Sequence, residues 1–173
     1  DYMKPAIRMA ALMKLPVKYV FSHDAFRVGE DGPTHEPIEQ EAQIRLLEEI
    51  RNEDGKPSVL VLRPADSAET TIAWEMALEN KETPTALILT RQDVSDIPAV
   101  AGNRYSEAQG IRRGGYTVVD APHPKVILVG NGSEVSLLCD VATELEKEGI
   151  ASRVVSIPSI GLFNMQDTEY KES

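Results

Sequence analysis

Apolar positions change their period several times along this chain, and the changes mark its elements. In residues 2–12, Met3, Ile7, Ala10 and Ala11 fall on one stripe, the spacing of a helix with one covered face. Residues 17–21, VKYVF, are β-branched and aromatic and predict a buried strand that ends just before Ser22-His23-Asp24. The stretch GEDGPTHEP, residues 29–37, holds two glycines and two prolines and predicts a loop. A helix over 38–53 follows, with Pro37 suited to its first turn and Glu36 and Glu39 suited to the positive end of its dipole.

The alternation continues with a strand over 58–63 and a helix capped by Asp66 or Ser67 that runs to Leu78, with Glu69 in its first turns. Residues 85–89 predict a third strand, ending at Thr90-Arg91-Gln92. Residues 93–115 lack periodicity and predict a connector. Beyond it lie a strand over 125–130, a glycine turn, a helix over 134–148 and a strand over 152–156, one βαβ unit without the rest of its sheet. Residues 164–169 resemble a capped helix start. The chain opens on Asp1 and closes on Ser173 within helix-like segments, so both ends are expected to be cuts. Strands alternating with helices predict an α/β protein with a mostly parallel, doubly wound sheet, followed by an incomplete second α/β domain.

Charge narrows the functional classes. A net charge of −10 and a pI near 4.8 argue against a duplex nucleic-acid binder, which needs a basic stripe. No apolar run approaches the roughly 20 residues that cross a bilayer, and no signal segment opens the chain, so a soluble, unexported protein is expected. The single cysteine, Cys139, lies in an apolar run and is expected to be a buried, inert thiol.

In a doubly wound sheet, ligands gather beyond the C-terminal strand ends, where His23, the 29–37 loop and Arg91 all fall. His23, Asp24, Glu30, Asp31 and His35 offer metal donors on a short segment, but without a recognised zinc spacing. A turn with solvated acids is the bland reading. Rigid presentation of donors and acceptors to a polar substrate is the third, and the favoured one. Arg91 is either a surface cation or a fork for phosphate. Gly130-Asn131-Gly132-Ser133-Glu134 suggests an anion cradle at a helix start, but it lacks a third glycine and reads better as a structural turn. His123, between two prolines, reads as an exposed linker residue.

Taken together, Ser22-His23-Asp24, Gly29-Glu30-Asp31-Gly32-Pro33-Thr34-His35, Arg63-Pro64-Ala65-Asp66, Trp74, Thr90-Arg91-Gln92, Gly114-Gly115-Tyr116, Gly132-Ser133-Glu134-Val135 and Arg153-Val154-Val155-Ser156 resemble transketolase in order and spacing. The resemblance covers essentially the whole chain. It implies the later part of the pyrimidine-binding domain with its linker in residues 1–112, and the first part of the C-terminal domain in 113–173. It implies transfer of a two-carbon ketol unit from a ketose phosphate to an aldose phosphate, in the pentose phosphate pathway, by a cytoplasmic homodimer. It also implies thiamine diphosphate and a divalent cation, magnesium or calcium, in the complete enzyme.

By the same resemblance His35 is catalytic, meeting the reacting carbonyl and its neighbouring hydroxyl. Asp31 accepts from the hydroxyl beside the acceptor aldehyde, His23 and Arg91 grip phosphate, and Tyr2 closes an aromatic pocket around the aminopyrimidine. No metal ligand is assigned in this chain. It lacks a Gly-Asp-Gly motif, and the family's catalytic glutamate would precede Tyr2, so the chain alone is expected to be inactive. Ala25-Phe26-Arg27, Glu36, Asp93 and an apparent insertion over 51–58 depart from the family pattern and bear on fine substrate preference. A metal-dependent hydrolase and a non-catalytic assembly subunit are the alternatives.

Overall fold

A computed structural model describes residues 2–24 and 39–172. The first half has helix α1 (Lys4–Leu12), strand β1 (Lys18–Phe21), helix α2 (Gln40–Glu49), strand β2 (Leu60–Leu62), helix α3 (Ser67–Glu79) and strand β3 (Thr85–Ile88). The three strands form a parallel sheet in the order β1-β3-β2, with Phe21 opposite Ile88 and Leu62 opposite Leu87. Parallel pairing places all three C-terminal ends on one rim.

Burial follows the alternation within these strands. Ile7, Ala10, Tyr19, Ile44, Val61, Ala86 and Ile88 pack on the face covered by α1 and α2. Leu62 and Leu87 point to the other face, where Ile72, Ala73, Met76 and Ala77 of α3 cover them. β3 is buried along its length because it has a strand on each side and helices on both faces. β1 was expected to be buried throughout, yet Val20 is 49% exposed. It lies at the end of the described strand order, and its neighbour Tyr19 takes the inward position.

Residues 93–115 are more than a connector. They hold helix α4 (Arg104–Ala108), started by Asn103, whose side chain accepts from the Ser106 amide, and a 3-10 turn over Gln109–Arg113. Ala108 and Ile111 are fully buried against α3, so the segment belongs to the core of the first half. Helix α2 is also shorter than the 38–53 expected, since Ile50 is already extended and Arg51 pairs with Pro57 across a tight excursion.

The second half contains strands β4 (Tyr116–Val119) and β5 (Val126–Gly130), helix α5 (Glu134–Lys147), strand β6 (Ser152–Ser156) and short helices α6 (Ile160–Asn164) and α7 (Thr168–Glu172). β5 and β6 are the expected parallel pair. β4 adds an unexpected antiparallel strand, giving the order β4-β6-β5. Val135 and Ala142 of α5 pack with Val118 and Val154 over this sheet. Cys139 is half-buried beside them, and burial pushes its thiol up to about 11, as expected of an inert thiol.

Candidate functional site

The rim of the first sheet carries three basic residues just past its three strand ends. His23 follows β1, Arg91 follows β3 and Arg63 follows β2. His23 and Arg91 come from adjacent strands, and both are exposed. His23 takes a left-handed backbone, φ 69°, and its Nδ1 lies 3.0 Å from Ser22 Oγ. Histidine enters that region more readily than most side chains, and Lys14 and His123 adopt it too, at φ 53° and 51°.

Next to His23 is Asp24, which is buried. Asp24 Oδ2 accepts from Arg63 Nη2 at 2.7 Å and Nε at 3.1 Å, and from Ser133 Oγ at 3.2 Å. The same guanidinium reaches into the second half: Nη2 donates to Glu134 Oε2 at 2.6 Å, and Nη1 to Asn131 Oδ1 at 2.6 Å. Burial works against the Arg63 charge, and Glu134, Glu41 and Asp24 more than offset it, so its pKa is raised. The backbone is tied in as well. The Gly132 amide donates to the Arg63 carbonyl at 3.1 Å, and the Arg63 amide donates to the Pro158 carbonyl at 2.9 Å.

Residues 130–134 are therefore filled by the protein's own groups, with Asp24 and Arg63 where an anion cradle would hold its ligand. The structural reading of that turn is the correct one. Asp24 Oδ2 is likewise committed to the ion pair with Arg63. Among the described residues no group of three His, Cys, Asp or Glu side chains is placed to hold a metal ion. Glu30, Asp31 and His35 lie outside the described residues. Tyr2 precedes α1 and is fully exposed, and His123 is exposed as expected.

Two further buried carboxylates join the halves. Glu48 of α2 accepts from Ser159 Oγ at 2.8 Å, the Gly161 amide at 3.0 Å and the Val61 amide at 3.3 Å. Glu69 of α3 accepts from Tyr116 Oη at 2.7 Å and the Ala65 amide at 2.8 Å, while Arg104 bridges Asp66 at 2.7 Å and Glu69 at 3.3 Å. Burial pushes both glutamates above the usual carboxylate range, against donors that pull the other way. Sequence reasoning missed these anchors and the bridging role of Arg63. Their signal was there: Glu48 follows Ile44 by one helical turn on the covered stripe, a position where an ionised side chain is seldom buried without partners.

Residues 1–96 match the transketolase pyrimidine binding domain, and residues 114–173 match the transketolase-like C-terminal domain. The chain belongs to the transketolase family. The transketolase of Staphylococcus aureus (strain N315) is 47% identical over 176 residues, covering 100% of this chain and 24% of its own length. Among solved structures, transketolase from Leishmania mexicana superposes with a TM-score of 0.83 at 40% identity, over 99% of this chain and 23% of that one. A Pichia stipitis transketolase in complex with sedoheptulose-7-phosphate gives 0.80 at 40% identity, over 98% and 23%. This chain thus spans about a quarter of the length of the transketolases it matches, and the shared α/β fold is theirs.

Proposed function

We propose that this chain forms the sugar-phosphate rim of a transketolase, an enzyme that moves a two-carbon ketol unit from a ketose phosphate to an aldose phosphate. The observation that carries the reading is the pair His23 and Arg91, exposed on one rim beyond the ends of adjacent parallel strands. A guanidinium fork and an imidazole there suit a phosphate dianion. A phosphate held at the rim fixes one end of an extended sugar, and the roles at the other end are assigned to His35 and Asp31. His35 is the residue assigned to donate to oxygen as charge develops at the carbonyl, and Asp31 the residue assigned to accept from the hydroxyl beside the acceptor aldehyde. Residues 1–112 and 113–173 are the portions of the pyrimidine-binding and C-terminal domains.

Thiamine diphosphate supplies the electron sink that allows a carbon–carbon bond beside a carbonyl to break. The fit of this chain to that group is limited to one side. The exposed Tyr2 ring suits the flank of an aromatic heterocycle, whereas the chain has no Gly-Asp-Gly motif to anchor the diphosphate and its cation. Those anchors belong to other parts of the enzyme, and the partner is a second subunit of a homodimer in the cytoplasm.

Replacing Arg91 with Ala in the complete subunit tests the rim. The KM for a ketose phosphate is expected to rise roughly tenfold to a hundredfold, the equivalent of about 1.5–3 kcal/mol for one charge-assisted contact. The KM for the unphosphorylated ketose is expected to stay nearly constant. An equal rise for both sugars contradicts the assignment.

A further inference from the structure

Arg63 sits behind the rim and is only 4% exposed, so it meets no sugar itself. Its guanidinium nevertheless holds the residue next to His23, through Asp24 Oδ2 at 2.7 and 3.1 Å. With Nη1 engaged by Asn131 and Nη2 shared between Asp24 and Glu134, the fork has one orientation. Lysine has no such fork. The fit is close: a Cβ on Gly132 would meet Arg63 Nε at 2.6 Å. His23, left-handed at φ 69°, thus stands next to a buried ion pair that the start of α5 completes.

We propose that Arg63 is a positioning residue for phosphate selection: it sets His23 through Asp24, and its own setting depends on the start of α5 in the C-terminal half. The inference rests on the reading of His23 as a phosphate ligand. A backbone displaced by a fraction of an ångström at His23 leaves chemistry at the carbonyl intact but spoils a contact at the far end of the sugar. Small misplacements of this kind have large kinetic effects, and here the effect falls on one class of substrate.

The test uses the complete subunit that carries this chain, loaded with thiamine diphosphate and magnesium. KM and kcat are measured for a ketose phosphate and for its unphosphorylated counterpart, with thermal unfolding followed in parallel. Arg63→Lys is expected to raise the KM for the phosphorylated sugar about five- to twentyfold, against less than about twofold for the other, with kcat for the unphosphorylated sugar within about twofold. Glu134→Gln, which keeps the Arg63–Asp24 pair and removes the charge from α5, is expected to act in the same direction by about two- to fivefold. A lower unfolding midpoint with an unchanged ratio of the two KM values would make Arg63 merely structural and overturn the proposal. If Arg63→Lys does not fold, Glu134→Gln decides on the same ratio. A wild-type enzyme with no preference for the phosphorylated sugar defeats the rim reading itself and this inference with it. Preference that is present but insensitive to both variants defeats this inference alone.

Discussion

Gly132 and Gly149 both take left-handed backbone conformations, φ 59° and 73°, but only Gly132 faces a side chain, that of Arg63. Alanine at Gly149 meets nothing within 4 Å, so it should cost only the conformational penalty, about 1 kcal/mol. Alanine at Gly132 also pushes the guanidinium from its partners, and about 2–4 kcal/mol is expected, combining that penalty with loss of a buried ion pair. Denaturant unfolding of the two variants checks the difference. Equal losses would show that the Arg63 cluster yields without cost. Asp31→Ala is expected to erode discrimination between aldose acceptors that differ only in the configuration of the hydroxyl beside the aldehyde. Steady-state kinetics on the two epimers measure it, and an equal loss for both would contradict the role assigned to Asp31.

Helix α2 meets α6 through Glu48, and this junction should respond to pH. Because burial raises the folded-state pKa of Glu48 above its unfolded value, the protonated form favours folding. Its contribution is fully present below the unfolded pKa and is lost as pH rises through the folded pKa. Relative to Glu48→Gln, the wild type should therefore be most stable in acid and lose that advantage as pH rises. Unfolding of both proteins across this range tests the sign, and a growing wild-type advantage at higher pH would refute it. The elements on either side were readable to different degrees. β1, β2, β3 and α3 announce themselves through apolar runs and the Asp66 cap, which accepts from the Glu69 amide at 2.8 Å. β4 does not, because four residues behind Gly114-Gly115 become a strand only by pairing with the distant β6. α4 is five residues long, too short for a period to show, and its burial against α3 is a tertiary fact. The places of His23 and Arg91 on the rim were legible from the strands they follow. Arg63 was quoted within a motif, but its bridge needs Asn131 and Glu134 from far along the chain.

Three buried polar junctions, at Arg63, Glu48 and Glu69, join the two halves, and the one at Arg63 ties the first sheet's rim to the start of α5. The chain as it stands is expected to bind no thiamine diphosphate measurably by calorimetry in magnesium, since it has no Gly-Asp-Gly motif and Tyr2 is the one cofactor contact proposed for it. Micromolar affinity would mean that it holds more of the cofactor site than its sequence indicates. The most direct measurement follows carbon in the complete subunit: a ketose phosphate labelled at its first two carbons is mixed with an unlabelled aldose phosphate, and the products are resolved by mass. Both labelled carbons should appear together in a ketose phosphate two carbons longer than the acceptor, leaving the donor as an unlabelled aldose phosphate two carbons shorter. Release of inorganic phosphate with no transfer of label would contradict the account and return the rim to hydrolytic chemistry.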